Sequence, residues 1–443
     1  MSLVPFGFWA ASGGAPISYW LATLGETAND EANGIAFDSS NNLYTVGVTR
    51  SQGLGFRALV LVKYSSAGSV EWQRILSGSV SEYGYGVKVD SSNNVYAFGT
   101  TNSGGADNDF LLAKYNDSGT LQWQRTLGGS GNQIGRAVAL DSSDNIYVMG
   151  DTDTGGAGSL DFLLAKYNSS GTIQWQRVLG GSGTEEGFSI AIDSSDNIYV
   201  LGYTDSVGAG SRDFLFAKYN TAGAIQWQRI LGGSDLEMGR GITTDLDGNL
   251  YVTGQTRSAG AGGDEFIVAK YNSAGSIQWQ RVLGGTGGDS AYGVSTDSDG
   301  NVYVAGFTDS TGEGSQDFLL AKYNLSGTIQ WQRSLGGTGS DRGFAISVDS
   351  LGNLYAAGRT SSTGEGVDEI LIAKLPNDGS LTGTYVLDGV NMVYAASTLT
   401  AATSSLTAST SSLTAATSSF TAATSSLTGA TSTLISHFVD IPA

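Results

Sequence analysis

The chain contains no cysteine, which removes disulfides, thiolate metal ligands and a cysteine nucleophile together. Its one histidine, His437, stands near the C-terminus, so a histidine-centred triad and a multi-histidine metal site are both excluded. Basic residues are scarce, 22 Lys and Arg against 41 Asp and Glu, for a formal charge of −19. That balance argues against nucleic acid as partner, because phosphate binding needs a basic face. No apolar run reaches the roughly 18 residues of a spanning helix, so no membrane span is expected. The opening MSLVPFGFWAASGGAP is apolar but has no Lys or Arg before Arg50, unlike a secretory leader with its basic first segment. Residues 1–16 are therefore read as an apolar docking arm.

What the chain has in abundance is glycine, 65 of 443 residues, with only 4 prolines and many Val, Ile, Tyr and Thr. This is the composition of short strands and tight turns. It is also repetitive. Residues 165–181, AKYNSSGTIQWQRVLGG, recur in near-identical words at 113–129, 217–233, 269–285 and 321–337, and in altered form at 62–78. Three markers each occur seven times: Trp at 20, 72, 123, 175, 227, 279 and 331; Lys at 63, 114, 166, 218, 270, 322 and 374; Asp at 38, 90, 141, 193, 245, 297 and 349. Successive tryptophans are 51 or 52 residues apart.

One unit, from residue 189, reads as an innermost strand SIAID, the turn SSDN and a second strand IYVLGYT. A Gly-rich loop, a third strand DFLFAKYN, a short turn and an outer strand AIQWQRIL follow. Four antiparallel strands per unit of about 50 residues make a propeller blade. The fold expected is all-β: a seven-bladed β-propeller of four-stranded antiparallel blades over residues 17–387. Trp20 precedes the first innermost strand, whereas Gly383 stands where the last tryptophan should be. The N-terminal strand ISYWLATL is therefore expected to fill the outer slot of blade seven and close the ring.

The pattern Asp-x-x-x-Asn-x-Tyr-Val-x-Gly-x-Thr, followed by an Asp-Phe-Leu-Leu-Ala-Lys strand, resembles the SBBP β-propeller repeats of bacteria and phages. The resemblance covers about residues 17–387 and implies the fold more than the function. The N-terminal LVPFGFWAASGG is similar, over a short stretch, to the starts of some phage virion proteins.

Loops joining the second to the third strand, and the outer strand to the next blade, differ between units, whereas the hairpins on the other face hardly vary. Specific binding is expected on the variable face. Its candidate groups are Glu185, Glu186, Asp205, Asp235, Glu237, Asp289, Asp309 and Asp341, with Tyr292 and Phe344 as stacking surfaces. The innermost strands offer mainly Ala, Ile, Val, Ser and Thr, so nothing is expected to converge on the axis. Asp161, Asp213 and Asp317 are expected to pair with Arg177, Arg229 and Arg333 across each outer hairpin. GGTGGD at 284–289 and GGTGSD at 336–341 resemble calcium-roll turns, and DLDGN at 245–249 and DSDGN at 297–301 the start of an EF-hand loop. Their spacing favours plain turns, and no metal, cofactor or catalytic residue is expected.

Residues 388–443 carry a strict seven-residue pattern: Met392, Leu399, Leu406, Leu413, Phe420, Leu427 and Leu434. Small residues stand three positions after the first six of them. A heptad of this kind reads first as a helical coiled-coil stalk that oligomerises the chain, a trimer by analogy with appendage fibres. Its Ser and Thr, poor helix formers, keep a linker and a β-structured fibre in play. The functional expectation is a non-enzymatic structural and attachment protein. As a phage virion appendage such as a tail fibre, it would join other virion proteins through arm and tail and offer the propeller to a host-surface glycan or protein. The alternative is a bacterial extracellular or cell-surface binding propeller.

Overall fold

The computed structural model describes residues 18–441 apart from 52–55, 103–106, 261, 364–367, 405, 411–413, 417–420, 424–427 and 432–434. The docking arm expected at 1–16 lies outside the described residues. Seven antiparallel sheets form the blades of a closed ring. Blade four is typical, with Glu185–Ile192 innermost, then Ile198–Thr204, Asp213–Tyr219 and Ile225–Gly232 outward. The ring closes as expected. Tyr19–Gly25 pairs antiparallel with Glu369–Leu375, placing Trp20 opposite Lys374, so blade seven takes its first three strands from one end of the chain and its fourth from the other. Trp20 is fully buried there, between Tyr64 of blade one and Tyr355 of blade seven.

Both faces of a blade are apolar because the core lies between blades. The buried apolar side chains described fall into seven clusters, one at each junction of neighbouring blades. The repeated word supplies the polar part of each junction. In blade three, Trp175 Nε1 donates to Thr221 O of blade four (3.1 Å), and Arg177 donates through Nε to Gly223 O (2.8 Å) and through a terminal nitrogen to Ala222 O (3.0 Å). The guanidinium lies over its own Trp175 ring. Gly223 has φ +74°, and a Cβ there would stand 3.0 Å from the Trp175 ring, so glycine is required on both counts. Outer strand and next hairpin are thus stapled together, and Trp279, Arg229 and Arg281 make the equivalent bonds. The expected Asp–Arg pairing across one hairpin is therefore corrected. Arg177 lies opposite Leu164 and reaches the next blade, while Asp161, at the far end of its strand, accepts from Gly158 N (3.3 Å).

Two carboxylate latches hold the turns. At the invariant hairpins, Asp193 Oδ1 accepts from the backbone N–H groups of Ser195 and Asn197, and its Oδ2 from the Tyr199 hydroxyl (2.9 Å). This accounts for the Asp-x-x-x-Asn-x-Tyr spacing. On the opposite face, the first residue of each innermost strand (Asp30, Glu82, Gln133, Glu185, Glu237, Asp289 and Asp341) is fully buried and bonds the backbone N–H four residues earlier.

The tail departs from the first expectation. It is not a helical stalk: the described residues of 388–443 are strands that add to the outer edge of every blade. Val390–Ala396 pairs with blade six, with Gly383–Leu387 outside it. Thr400–Thr403 pairs with blade five, Thr407–Thr410 with four, Thr414–Ala416 with three, Thr421–Ala423 with two, Thr428–Thr431 with one and Ile435–Ile441 with seven. The register is uniform. Val393, Thr400, Thr407, Thr414, Thr421, Thr428 and Ile435 stand opposite Gly336, Gly284, Gly232, Gly180, Gly128, Ser77 and Gly25. One heptad is one step of the belt from blade to blade, taken against the chain order of the blades. β-branched Thr suits such a strand and weakens the rival helix.

The seam residues fill the gaps between blades. Met392, Leu399 and Leu406 are buried, the last two in the clusters that join blades five and six and blades four and five. Gln332 and Gln280, each one residue after the repeat tryptophan, donate to Leu399 O and Leu406 O at 2.8 Å. The Gly pair after each outer strand is explained by close approach. A Cβ on Gly232 would meet Asp213 Oδ1 at 1.3 Å, and one on Gly233 would meet Ser258 Cβ at 2.3 Å and Leu406 Cδ2 at 2.9 Å.

Two expectations follow. Truncation after Leu387 uncovers the outer edges and removes at least four buried apolar side chains, Met392, Tyr394, Leu399 and Leu406, worth about 1.5–3 kcal/mol each. The melting temperature should fall by roughly 10 °C, with self-association in light scattering. An unchanged melting curve and a dispersed sample would show that the belt does not hold the ring. The second concerns pH. Burial pushes Glu82 up to about 7 and Asp213 and Asp317 up to about 6, the last two helped by the neighbouring Glu237 and Asp341 carboxylates. A carboxyl so raised holds its proton more tightly folded than unfolded. Its contribution is complete below the ordinary range, about 4, and is lost as pH rises through 6 to 7. Asp90, Asp141 and Asp193, lowered by the hydrogen bonds of their turns, act the other way only below that range. The melting temperature should therefore be higher at pH 5 than at pH 8, and E82Q should flatten that difference.

Candidate binding site on the propeller axis

Each innermost strand carries a β-bulge at one position, between residues such as Gly187 and Ser189. The extra residues are Asn33, Tyr85, Arg136, Phe188, Arg240, Tyr292 and Phe344. A bulge re-aims the side chain it inserts, and these seven line a cavity of about 360 Å3 on the propeller axis. The next residues but one, Ile35, Val87, Val138, Ile190, Ile242, Val294 and Ile346, form a second, aliphatic ring in the same cavity. The expectation that nothing converges on the axis is thus corrected. Strand composition concealed it, because the converging residues share one column of the repeat and differ in every blade.

The ring alternates cations and aromatic faces. The Arg136 guanidinium lies 5.4 Å from the Tyr85 ring centre and 5.2 Å from that of Phe188. Arg240 lies 4.2 Å from Phe188 and 5.3 Å from Tyr292, and Tyr292 meets Phe344 edge to face at 5.4 Å. Around this ring, Arg57 covers Tyr83, Arg212 covers Tyr203, Arg342 covers Phe307 and Arg359 covers Phe344. Such pairs contribute about 0.5–2 kcal/mol each and fix the planar guanidinium groups in place. Two arginines are neutralised. Arg136 faces Asp151 (3.6 Å) and Glu186 (4.0 Å), and Arg359 faces Asp368 (2.9 Å) and Glu31 (3.9 Å). Burial raises Asp151 to about 7 despite Arg136. Lys88 is touched by solvent inside the channel yet enclosed by protein, and the enclosure lowers its ammonium pKa.

The residues expected to bind fall into three groups. Tyr292 and Phe344 line the axial cavity. Glu186 stands beside it, accepting from the Tyr203 hydroxyl and facing Arg136. Glu185, Glu237, Asp289 and Asp341 are the buried latches described above, so their carboxylates serve the turns and are not on the loop surface. Asp205, Asp235 and Asp309 are exposed on the loops. Asp205 and Asp309 accept from the backbone N–H of Thr184 and Gly288, and Asp235 bonds neighbouring loops through its backbone. Arg136, Arg240, Tyr85, Phe188 and Asn33 were missed. Aligning the units on the small residue, Gly or Ala, before the bulge would have shown a column of large side chains amid small ones. Among the described residues no group of three or more His, Cys, Asp or Glu side chains is placed to hold a metal ion.

Six segments of the chain, 20–55, 122–156, 174–208, 226–260, 278–312 and 330–364, match SBBP, a beta-propeller repeat, and 298–329 match a beta-propeller domain of unknown function, DUF5122. An uncharacterized WD repeat-containing protein, L264, of Acanthamoeba polyphaga mimivirus is 19% identical over 76% of this chain. The regulatory protein FlaEY of Caulobacter vibrioides is 30% identical over 27%. The chain covers 36% and 14% of the lengths of these two relatives. Solved structures of similar shape include the periplasmic gluconolactonase PpgL of Pseudomonas aeruginosa, with TM-score 0.46, 10% identity, and coverage of 70% of this chain and 94% of that one. A glucose dehydrogenase has TM-score 0.39 and 12% identity over 66% and 95%. The Pan2 WD40 domain of Neurospora crassa has TM-score 0.47 and 11% identity over 82% and 97%. These findings give no support to a likeness with phage virion proteins. The expectation that the chain is not an enzyme does not stand either. A gluconolactonase and a glucose dehydrogenase are among the solved structures of similar shape, and the repetition of the blades does not extend to the residues on the axis. The chain is a seven-bladed propeller, and six of its segments are similar to SBBP beta-propeller repeats.

Proposed function

We propose that this propeller is the attachment module of a virion appendage, which binds a host-surface glycan or protein at the axial cavity while residues 1–16 dock it to other virion proteins. The observation that supports binding is the axial ring itself. It breaks the sevenfold repetition of the molecule with a half-buried set of arginines, tyrosines and phenylalanines, the side chains most used at recognition surfaces. Among the described residues the hairpin face departs from repetition chiefly at single exposed side chains such as Leu246, Leu325 and Leu351. Support for the virion setting is the short N-terminal similarity alone. A bacterial extracellular or surface propeller is the second reading, favoured by the match to a Caulobacter protein.

The test is adsorption. Labelled full-length chain should bind susceptible cells or a glycan array, and the double variant Tyr292→Ala, Phe344→Ala should lose at least tenfold in binding with its melting curve nearly unchanged. Loss of adsorption on substituting Ser194 and Ser195 of an invariant hairpin, with the double variant unaffected, would place recognition on the other face.

A further inference from the structure

The basic residues of the chain are distributed unevenly. Of 22, thirteen are the lysines and arginines of the repeated word, occupied at blade junctions. Among the nine others, Lys88, Arg136 and Arg240 line the axial cavity, and Arg57, Arg212, Arg342 and Arg359 stand around it. A chain of net charge −19 thus gathers most of its non-repeated cations at one place. Fewer carboxylates accompany them: Asp151 and Glu186 on Arg136, Asp368 and Glu31 on Arg359.

Of the two arginines that line the cavity, Arg136 has carboxylate partners and Arg240 has none. Among the described residues no carboxylate lies within ion-pair distance of it, and its buried Nε has no hydrogen-bond partner. Its side-chain contacts are the Phe188 and Tyr292 rings on either side and the Met238 sulfur at 4.0 Å. A guanidinium held between two rings keeps its fork of N–H donors in a fixed plane, the geometry that matches a carboxylate bidentately. Glu186 acts on it only from beyond ion-pair distance; leaving such a cation partly desolvated without a bonded counter-ion is costly, and an entering anion relieves that cost. The rest of the cavity limits what carries the anion. The one carboxylate in the lining, Glu31, faces Arg359; neutral polar groups at Asn33, Tyr85, Ser189 and Tyr292 suit hydroxyls, the aliphatic ring suits the apolar face of a pyranose, and about 360 Å3 suits one or two sugar rings rather than a protein loop.

We propose that the axial cavity binds the carboxylate of an acidic sugar, a uronic or sialic acid residue of a glycan, with Arg240 as the anchor. The proposal deepens the reading of this cavity as the binding site. Calorimetric titration of the full chain with glucuronate and with N-acetylneuraminate distinguishes the two sources, with glucose and acetate as controls. At least one acidic sugar should bind, weakened severalfold by raising salt from low to high ionic strength, and glucose and acetate should bind at least tenfold more weakly. Arg240→Gln should cost the acidic sugar at least tenfold, Arg240→Lys less, and Arg50→Gln, on an exposed loop, nothing. Should Arg240→Gln fail to fold, the salt dependence and the controls decide on the native chain. Glucose or acetate binding as tightly as the acidic sugars, a folded Arg240→Gln that binds normally, or no acidic sugar bound overturns the proposal. Adsorption to cells that acidic sugars do not compete away would leave the attachment reading standing while this inference fails. Acidic-sugar binding without adsorption would do the reverse.

Discussion

An exposed outer strand is the constraint around which this molecule is organised. A blade of four strands satisfies its backbone on one side of the outer strand and leaves a row of N–H and C=O groups on the other. Seven blades present seven such edges, and each is a template for pairing with another chain. The tail answers all of them with one segment. It lays a short strand on each edge, and its heptad advances by seven residues while the blades recede by 51 or 52. Two periods without common arithmetic are locked because both count blades. The final strand, Ile435–Ile441, lands on Tyr19–Gly25, itself the strand that closes the ring, so the two ends of the chain secure the same blade.

The junctions are built for that closure. Each buries an apolar cluster and adds a tryptophan and an arginine that donate to the next hairpin. Neither feature needs a net charge or an exact side-chain volume from neighbouring units, so the same word serves repeatedly. The belt uses the same word a second time: the Gln between Trp and Arg reaches out to the tail, and the second Gly leaves room for its leucine. A residue pattern that looks like redundancy, QWQR followed by GG, thus carries three contacts: to the hairpin of the following blade, to that blade's latch acid and to the belt.

How much of this is legible without coordinates depends on where the information sits. Strand order, blade number and closure through Trp20 are legible, because three markers recur at one spacing and the missing seventh tryptophan has a single place to come from. The tail is misleading for a physical reason. A period of seven with one large residue per repeat satisfies a coiled-coil seam, and nothing local reveals that the repeat is paced by blades. The clue was that its number of heptads equals the number of blades, together with a Thr after the large residue in most of them. The latch acids misled in the opposite sense. Glu185 and Glu237 stand in variable, Gly-rich loops and look free to bind, yet their carboxylates are turned inward to hold those loops.

The axial ring shows how a repetitive scaffold can hold a site that repetition hides. Within any single unit the bulged residue is one side chain among small neighbours, and Asn33, Arg136 and Tyr292 have no common chemistry. The fold makes them a group by placing one residue from each blade at the same depth on the axis. The bulge is a property of the scaffold, while the identity of the bulged residue is free of the packing that constrains the junctions. Variation at that column can therefore change the character of the cavity at little cost to the ring, and the alternation of guanidinium and aromatic faces found there is independent of anything the blades require for their own stability.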